Sequence, residues 1–151
     1  MPVLYIIAGP DGAGKTTASY TLLPEVFGIN QFVNADEIAK GLSPFSPELV
    51  ALESGRIMLA RIKTLIKEKQ SFGFETTLTT LTYKNYIREA KDAGYTVKLI
   101  FLWLNSPELA KERVKKRVTE GGHNIPDNVI ERRYVKGIKN LRLFLGLADI
   151  R

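Results

Sequence analysis

The eight residues Gly9-Pro-Asp-Gly-Ala-Gly-Lys-Thr16 constrain this chain more than any other segment. They fit the pattern G-x-x-x-x-G-K-[ST] and follow a short apolar run, Val3–Ala8, that reads as a strand stopping at a glycine. Gly9, Gly12 and Gly14 let the backbone turn tightly and approach an anion without a Cβ in the way. The loop of Pro10, Asp11, Gly12 and Ala13 and the helix expected from Gly14 to about Leu23 then aim backbone N–H groups at that anion. Lys15 adds a full charge suited to the β- and γ-phosphates of ATP. The Thr16 hydroxyl suits the Mg²⁺ that bridges those phosphates, and Thr17 follows it in the first helical turn.

A chain of 151 residues is one ordinary domain, with length enough for a packed core. It has no cysteine, which excludes a disulfide framework and a thiolate metal site. No apolar run reaches the roughly 20 residues of a membrane helix, and no secretory leader is visible, so a cytoplasmic location without membrane contact is expected. The net charge of +6 is concentrated: Lys111 to Arg142 holds ten Lys/Arg and four Asp/Glu, so the rest of the chain sums to zero. Such a cluster suits a phosphate ligand, a nucleic acid, or simply a solvated helix face.

Beyond the glycine-rich loop, strands are expected at Gln31–Asn34, Ser71–Glu75 and Val97–Leu104, the last apolar enough to be covered on both faces. Helices are expected over Pro47–Lys69, with Leu52, Gly55, Leu59, Ile62 and Ile66 as its inner stripe, and over Thr82–Ala93. A further helix follows Asn105 or Ser106 as cap with Pro107 at its first position and runs to about Val118. A last one begins near Asp127, after the turn Gly121–Pro126. Alternating strands and helices imply a three-layer α/β/α fold with a mainly parallel sheet. Four strands are visible, and Leu141–Arg151 is too short to supply another with its loops.

Ligands in open α/β sheets bind beyond the carboxyl ends of the strands, which singles out Asp36, Glu37 and Glu75. A phosphoryl acceptor needs a carboxylate to orient and deprotonate its hydroxyl, a role that fits Asp36. A helix cap fits Asp36 equally well. Glu75 suits either the acceptor or Mg²⁺ held through water, and Thr76 and Thr77 beside it offer hydroxyls to a sugar or phosphate. Arg113 and Arg117 share a helix face, and Arg132 and Arg133 lie past the Gly121-Gly122 turn. Together, residues 111–135 suit a helical lid whose arginines stabilise charge on a transferred phosphoryl group and whose closure excludes water. Lys111, Lys115 and Lys116 read as surface charge, His123 as a structural hydrogen-bonder and Trp103 as core.

Taken jointly, these segments resemble the zeta-toxin-like P-loop kinases, especially their small bacterial members. The matching stretches are Leu4–Thr17, Phe32–Ala39, Ala51–Arg56, Phe74–Leu78, Trp103–Ala110 and Arg113 through His123-Asn-Ile-Pro126, covering about residues 1–140. The resemblance implies ATP-dependent phosphorylation of a small hydroxyl compound, in the characterised toxins the 3′-hydroxyl of a UDP-activated amino sugar, and an antitoxin as protein partner. It implies Asp36 as general base, Glu75 and Thr77 as acceptor-site residues, and Arg113, Arg117 and Arg132 as lid residues. Two departures stand out. Thr79 occupies a position where toxins of the group carry arginine. Leu141–Arg151 also does not match the strand with which small relatives continue, which reads as a truncated C-terminus. Two other functions fit the same residues. A kinase of nucleic-acid ends is favoured by the basic segment and disfavoured by its lack of interleaved aromatics. A non-catalytic ATP-binding module would bind nucleotide without transfer.

Overall fold

The computed structural model describes all 151 residues. Strands β1 (Val3–Ala8), β2 (Phe32–Val33), β3 (Phe72–Thr76) and β4 (Thr96–Phe101) form one parallel sheet in the order β2-β3-β1-β4. Helices α1 (Lys15–Thr21), α2 (Ala35–Leu42), α3 (Ala51–Lys67), α4 (Tyr83–Asp92), α5 (Pro107–Thr119) and α6 (Asp127–Leu147) connect and follow them. Ala8 of β1 lies opposite Thr76 of β3 and Phe101 of β4, so the carboxyl ends align and their loops open on one rim.

Period-two alternation divides the strands between two layers. On one face Leu4, Ile6, Phe72, Phe74, Val97 and Leu99 pack against Met58 and Ile62 of α3, Ile87 of α4 and Phe144 of α6. On the other, Tyr5 stacks on Phe27 and Gly73 admits Leu23, both from the segment that continues α1. A separate small core of Leu104, Ala110, Val114, Ile130 and Tyr134 joins α5 to α6, and gives the basic pair of helices its own packing.

Several expectations need correction. The helical course does not end before Pro24: α1 stops at Thr21 and the chain widens into a π-helical turn, Leu22–Val26, closed by the Phe27 N–H on the Leu22 carbonyl. The wider turn accommodates a proline ring that would strike the carbonyl four residues back in an α-helix. The long helix after Pro47 is a 3₁₀ turn, Pro47–Val50, followed by α3, and its buried stripe is Ser54, Met58, Ile62, Leu65 and Ile66. Leu52, in the first turn of α3, is 74% exposed and lies outside that stripe.

β4 ends at Phe101, with only Val97 and Leu99 buried, and Trp103 is 57% exposed rather than core. The outer edge of β4 explains this. It is covered only where the Asp149 and Ile150 N–H groups bond to the Val97 carbonyl and the Leu99 N–H bonds to the Ile150 carbonyl. Lys98 and Ile150 form a parallel bridge there, so the C-terminal residues do begin a fifth position in the sheet.

Candidate active site

The loop between β1 and α1 has positive φ at Gly9, Gly12 and Gly14, and Lys15 opens α1. Gly12 is needed for more than its φ of +81°. A Cβ there would lie 2.9 Å from Arg113 Cβ and 3.0 Å from the Ala110 carbonyl oxygen, so α5 rests directly on the phosphate loop. Arg113, Lys116, Arg117 and Glu120 of α5 face Gly12 across a cavity of about 420 Å³. Two of the expected lid arginines thus reach the loop, and Lys116 joins them instead of being plain surface charge. Lys111 is tied up by Glu131 at 2.9 Å and braces α5 to α6.

Arg132 is exposed, while its neighbour Arg133 donates to Asp11 at 3.3 Å. Helical phase decides between them. Ile130, Tyr134, Gly137, Asn140 and Phe144 form the buried face of α6, and Arg133 borders that face at Gly137 whereas Arg132 is turned a further step away. Writing out that stripe would have separated the two from sequence alone.

Within the loop, Lys15 Nζ donates to the Pro10 carbonyl at 3.0 Å. Burial lowers its pKa, and the carboxylates of Asp11, Glu75 and Asp36 oppose that effect. Thr16 Oγ1 donates to Glu75 Oε1 at 2.9 Å, and Asn34 Nδ2 donates to Glu75 Oε2 at 3.0 Å. Glu75 stands at the end of β3, beside β1, and burial raises its pKa against the pull of Lys15 and the Thr16 hydroxyl. A hydroxyl and a carboxylate in contact at the root of a phosphate loop fit a divalent cation.

Asn34 was not singled out by sequence, although asparagine just before a helix beginning Ala-Asp-Glu is a favoured N-cap. It caps α2 by accepting the Asp36 N–H at 2.8 Å. The capping task is therefore Asn34's, and the Asp36 carboxylate is left for the cleft, where it acts on Lys15, Glu75 and the buried Tyr83 hydroxyl. Glu37 pairs with Lys40 at 3.3 Å and lines a different, mostly apolar cavity of about 470 Å³ with Tyr20, Phe32, Ile38 and Ile57.

The loop after β3 carries the remaining candidates. Thr77 Oγ1 and Thr79 Oγ1 lie 2.7 Å apart. Between them, buried Leu78 has φ of +63°, a strained conformation for a residue with a branched side chain. Thr76 Oγ1 accepts the Leu78 N–H at 3.0 Å, and Asn140 Nδ2 of α6 donates to the Leu78 and Thr79 carbonyls at 2.8 and 3.3 Å. At the far end of the cleft His123 meets Glu48 at 3.3 Å, so the turn between α5 and α6 touches the 3₁₀ segment before α3. Thr17 is exposed on α1.

This architecture is that of the P-loop kinases, a kinase-like ATP-binding fold. The family model for Zeta toxin matches residues 1–148. The chain belongs to the zeta toxin family. An uncharacterized protein of Haemophilus influenzae is 29% identical over 126 residues, 83% of this chain and 88% of that protein. The toxin–antitoxin system PezAT of Streptococcus pneumoniae contains a chain similar at a TM-score of 0.70 and 20% identity, over 99% of this chain and 66% of that one. AvrRxo1-ORF1:-ORF2 with ATP is similar at a TM-score of 0.75 and 21% identity, over 97% of this chain and 50% of that chain. This chain therefore spans about two-thirds and one-half of the length of those two chains. No helix is long and apolar enough to cross a membrane.

Proposed function

We propose that this member of the zeta toxin family is an ATP-dependent kinase that transfers the γ-phosphoryl group to a hydroxyl of a small molecule. One observation carries the reading: Lys15 of the phosphate loop bonds to the Pro10 carbonyl, Thr16 bonds to the half-buried Glu75, the nearby Asp36 is free of capping, and Arg113, Lys116 and Arg117 of α5 line a cavity at Gly12. ATP bound with Mg²⁺ supplies the transferable phosphoryl group.

The chain's residues take the following roles. Pro10, Asp11, Gly12, Ala13 and Gly14 surround the phosphates, and Lys15 moves from the Pro10 carbonyl to them. Thr16, with Glu75 behind it, holds Mg²⁺, which favours the ionised form of Glu75 that burial disfavours. Asp36 accepts the proton of the acceptor hydroxyl. Arg113 and Arg117 stabilise the negative charge that develops on the transferred group. Thr77 and Thr79 offer hydroxyls to the acceptor.

A UDP-amino sugar is the acceptor suggested by resemblance to the toxins. Thr79, standing where those toxins carry arginine, argues for a less anionic contact at that point. An antitoxin is the partner suggested by PezAT, and a cytoplasmic setting follows from the use of ATP.

Phosphoryl transfer from Mg-ATP to a panel of UDP-sugars, read by product mass, tests the proposal. Lys15→Ala is expected to abolish nucleotide binding, and Asp36→Asn to bind ATP while making no product. Equal product from wild type and Asp36→Asn would remove Asp36 as the base.

A further inference from the structure

The phosphate loop contains a negative charge that its task does not call for. Asp11 sits inside the cradle with its side chain only 8% exposed, between the Pro10 carbonyl that holds Lys15 and Gly12 that floors the cationic cavity. A carboxylate in that place repels a polyphosphate. Its side chain has one hydrogen-bonding partner, Arg133, whose Nη1 lies 3.3 Å from Oδ1 and 3.5 Å from Oδ2. Arg133 reaches it from α6, 122 residues away in sequence, with a side chain 36% exposed.

We infer that Arg133 is a positioning residue for nucleotide binding that acts through Asp11, neutralising the carboxylate so that the loop accepts a triphosphate while the pair ties α6 to the loop. The inference rests on the nucleotide reading of this site. It separates two consequences of one contact. If the pair were only a structural tie, breaking it from either side would harm binding alike. If charge is what matters, the two sides have unequal effects. Loss of Arg133 bares a carboxylate beside the phosphates, whereas Asp11→Asn removes that carboxylate and leaves the arginine's charge in place. Lys15 responds to the same group, since Asp11 is the leading carboxylate holding its amine protonated against burial.

Titration calorimetry with Mg-ATP on the full chain tests this in wild type, Arg133→Ala, Asp11→Asn and the double variant. Arg133→Ala is expected to bind about tenfold more weakly. Asp11→Asn is expected to lose clearly less than Arg133→Ala, and the double variant to recover most of the Arg133→Ala loss. Arg133→Gln, which keeps most of the stem's packing, is to follow Arg133→Ala and serves if the alanine variant melts early. Equal weakening by Asp11→Asn and Arg133→Ala would overturn the inference in favour of a structural tie. A double variant as weak as Arg133→Ala would overturn it in favour of direct contact between Arg133 and nucleotide. Wild type that shows no saturable ATP binding would instead overturn the nucleotide reading on which it stands.

Discussion

Replacing Gly137 with alanine tests how closely α6 must approach the acceptor loop. In most helix interiors this change stabilises by about 1 kcal/mol, because alanine gives up less backbone freedom on folding. At Gly137 a Cβ would overlap the Thr77 carbonyl oxygen, well inside the 3.0 Å that real Cβ contacts respect. The obstacle is backbone in a loop already pinned by the strained Leu78 and by Asn140, so it cannot swing aside as a side chain would. Relief therefore requires α6 and the Thr77 peptide to part by more than half an ångström. Overpacking of this kind costs about 1–3 kcal/mol. Set against the gain in propensity, the net loss is about 0–2 kcal/mol, or a fall in Tm of up to roughly 8 °C for a chain this long. Gly55, within α3, supplies the internal control: nothing lies within 4 Å of its Cβ position. Gly55→Ala is expected to raise Tm by about 1–3 °C. Thermal unfolding followed by circular dichroism reads both. Because Thr77 moves with the helix, Gly137→Ala also raises KM for the acceptor while leaving ATP affinity close to that of wild type. A Gly137→Ala protein as stable as Gly55→Ala would refute the close-approach argument.

Three other substitutions, at Asn140 and Glu75, test polar groups of the same region. Asn140→Leu removes the donor to two carbonyls of the acceptor loop and is expected to cost about 1–3 kcal/mol in urea unfolding. Asn140→Asp sets a carboxylate against those carbonyls, so it should lose more at neutral pH and regain part of the loss on acidification; pH-independent stability would count against that contact. Burial raises the pKa of Glu75 in the folded, unliganded chain, so its contribution to stability is full below the unfolded carboxylate pKa and is lost as pH rises through the folded one. Glu75→Gln should therefore raise Tm of the unliganded protein at neutral pH and flatten its dependence on pH, while weakening Mg-dependent binding of ATP. A lower Tm for that variant at neutral pH would show that the hydrogen bonds from Thr16 and Asn34 outweigh the burial of charge.

What the sequence made legible and what it hid divide along a physical line. The phosphate loop could be read because its chemistry is local: three glycines, a lysine and a threonine within eight residues specify a turn, a helix start and a charge. The order of strands and helices could be read because each depends on a period expressed in its own residues. Trp103 and Leu52 misled because their burial depends on what lies across from them. The outer edge of β4 is covered only near Val97–Leu99, and Leu52 stands in the first turn of α3, ahead of the buried residues that begin at Ser54.

The hidden part of the site consists of pairings across long separations: Asp11 with Arg133, Thr16 with Glu75, Leu78 with Asn140. Two of these converge on α6. It meets the phosphate loop at Arg133 and the loop after β3 at Gly137 and Asn140, and the turn before it reaches Glu48 through His123. From Arg133 onward this helix is thus fixed to both loops. Arg133, Gly137 and Asn140 succeed one another at helical intervals of four and three, so they lie along one side of one rigid element. Arg113, Lys116 and Arg117, all on α5, line the cationic cavity without ion-pair partners, whereas Arg133 on α6 is already engaged, so on the kinase reading the α5 cations are the ones free to meet a phosphate.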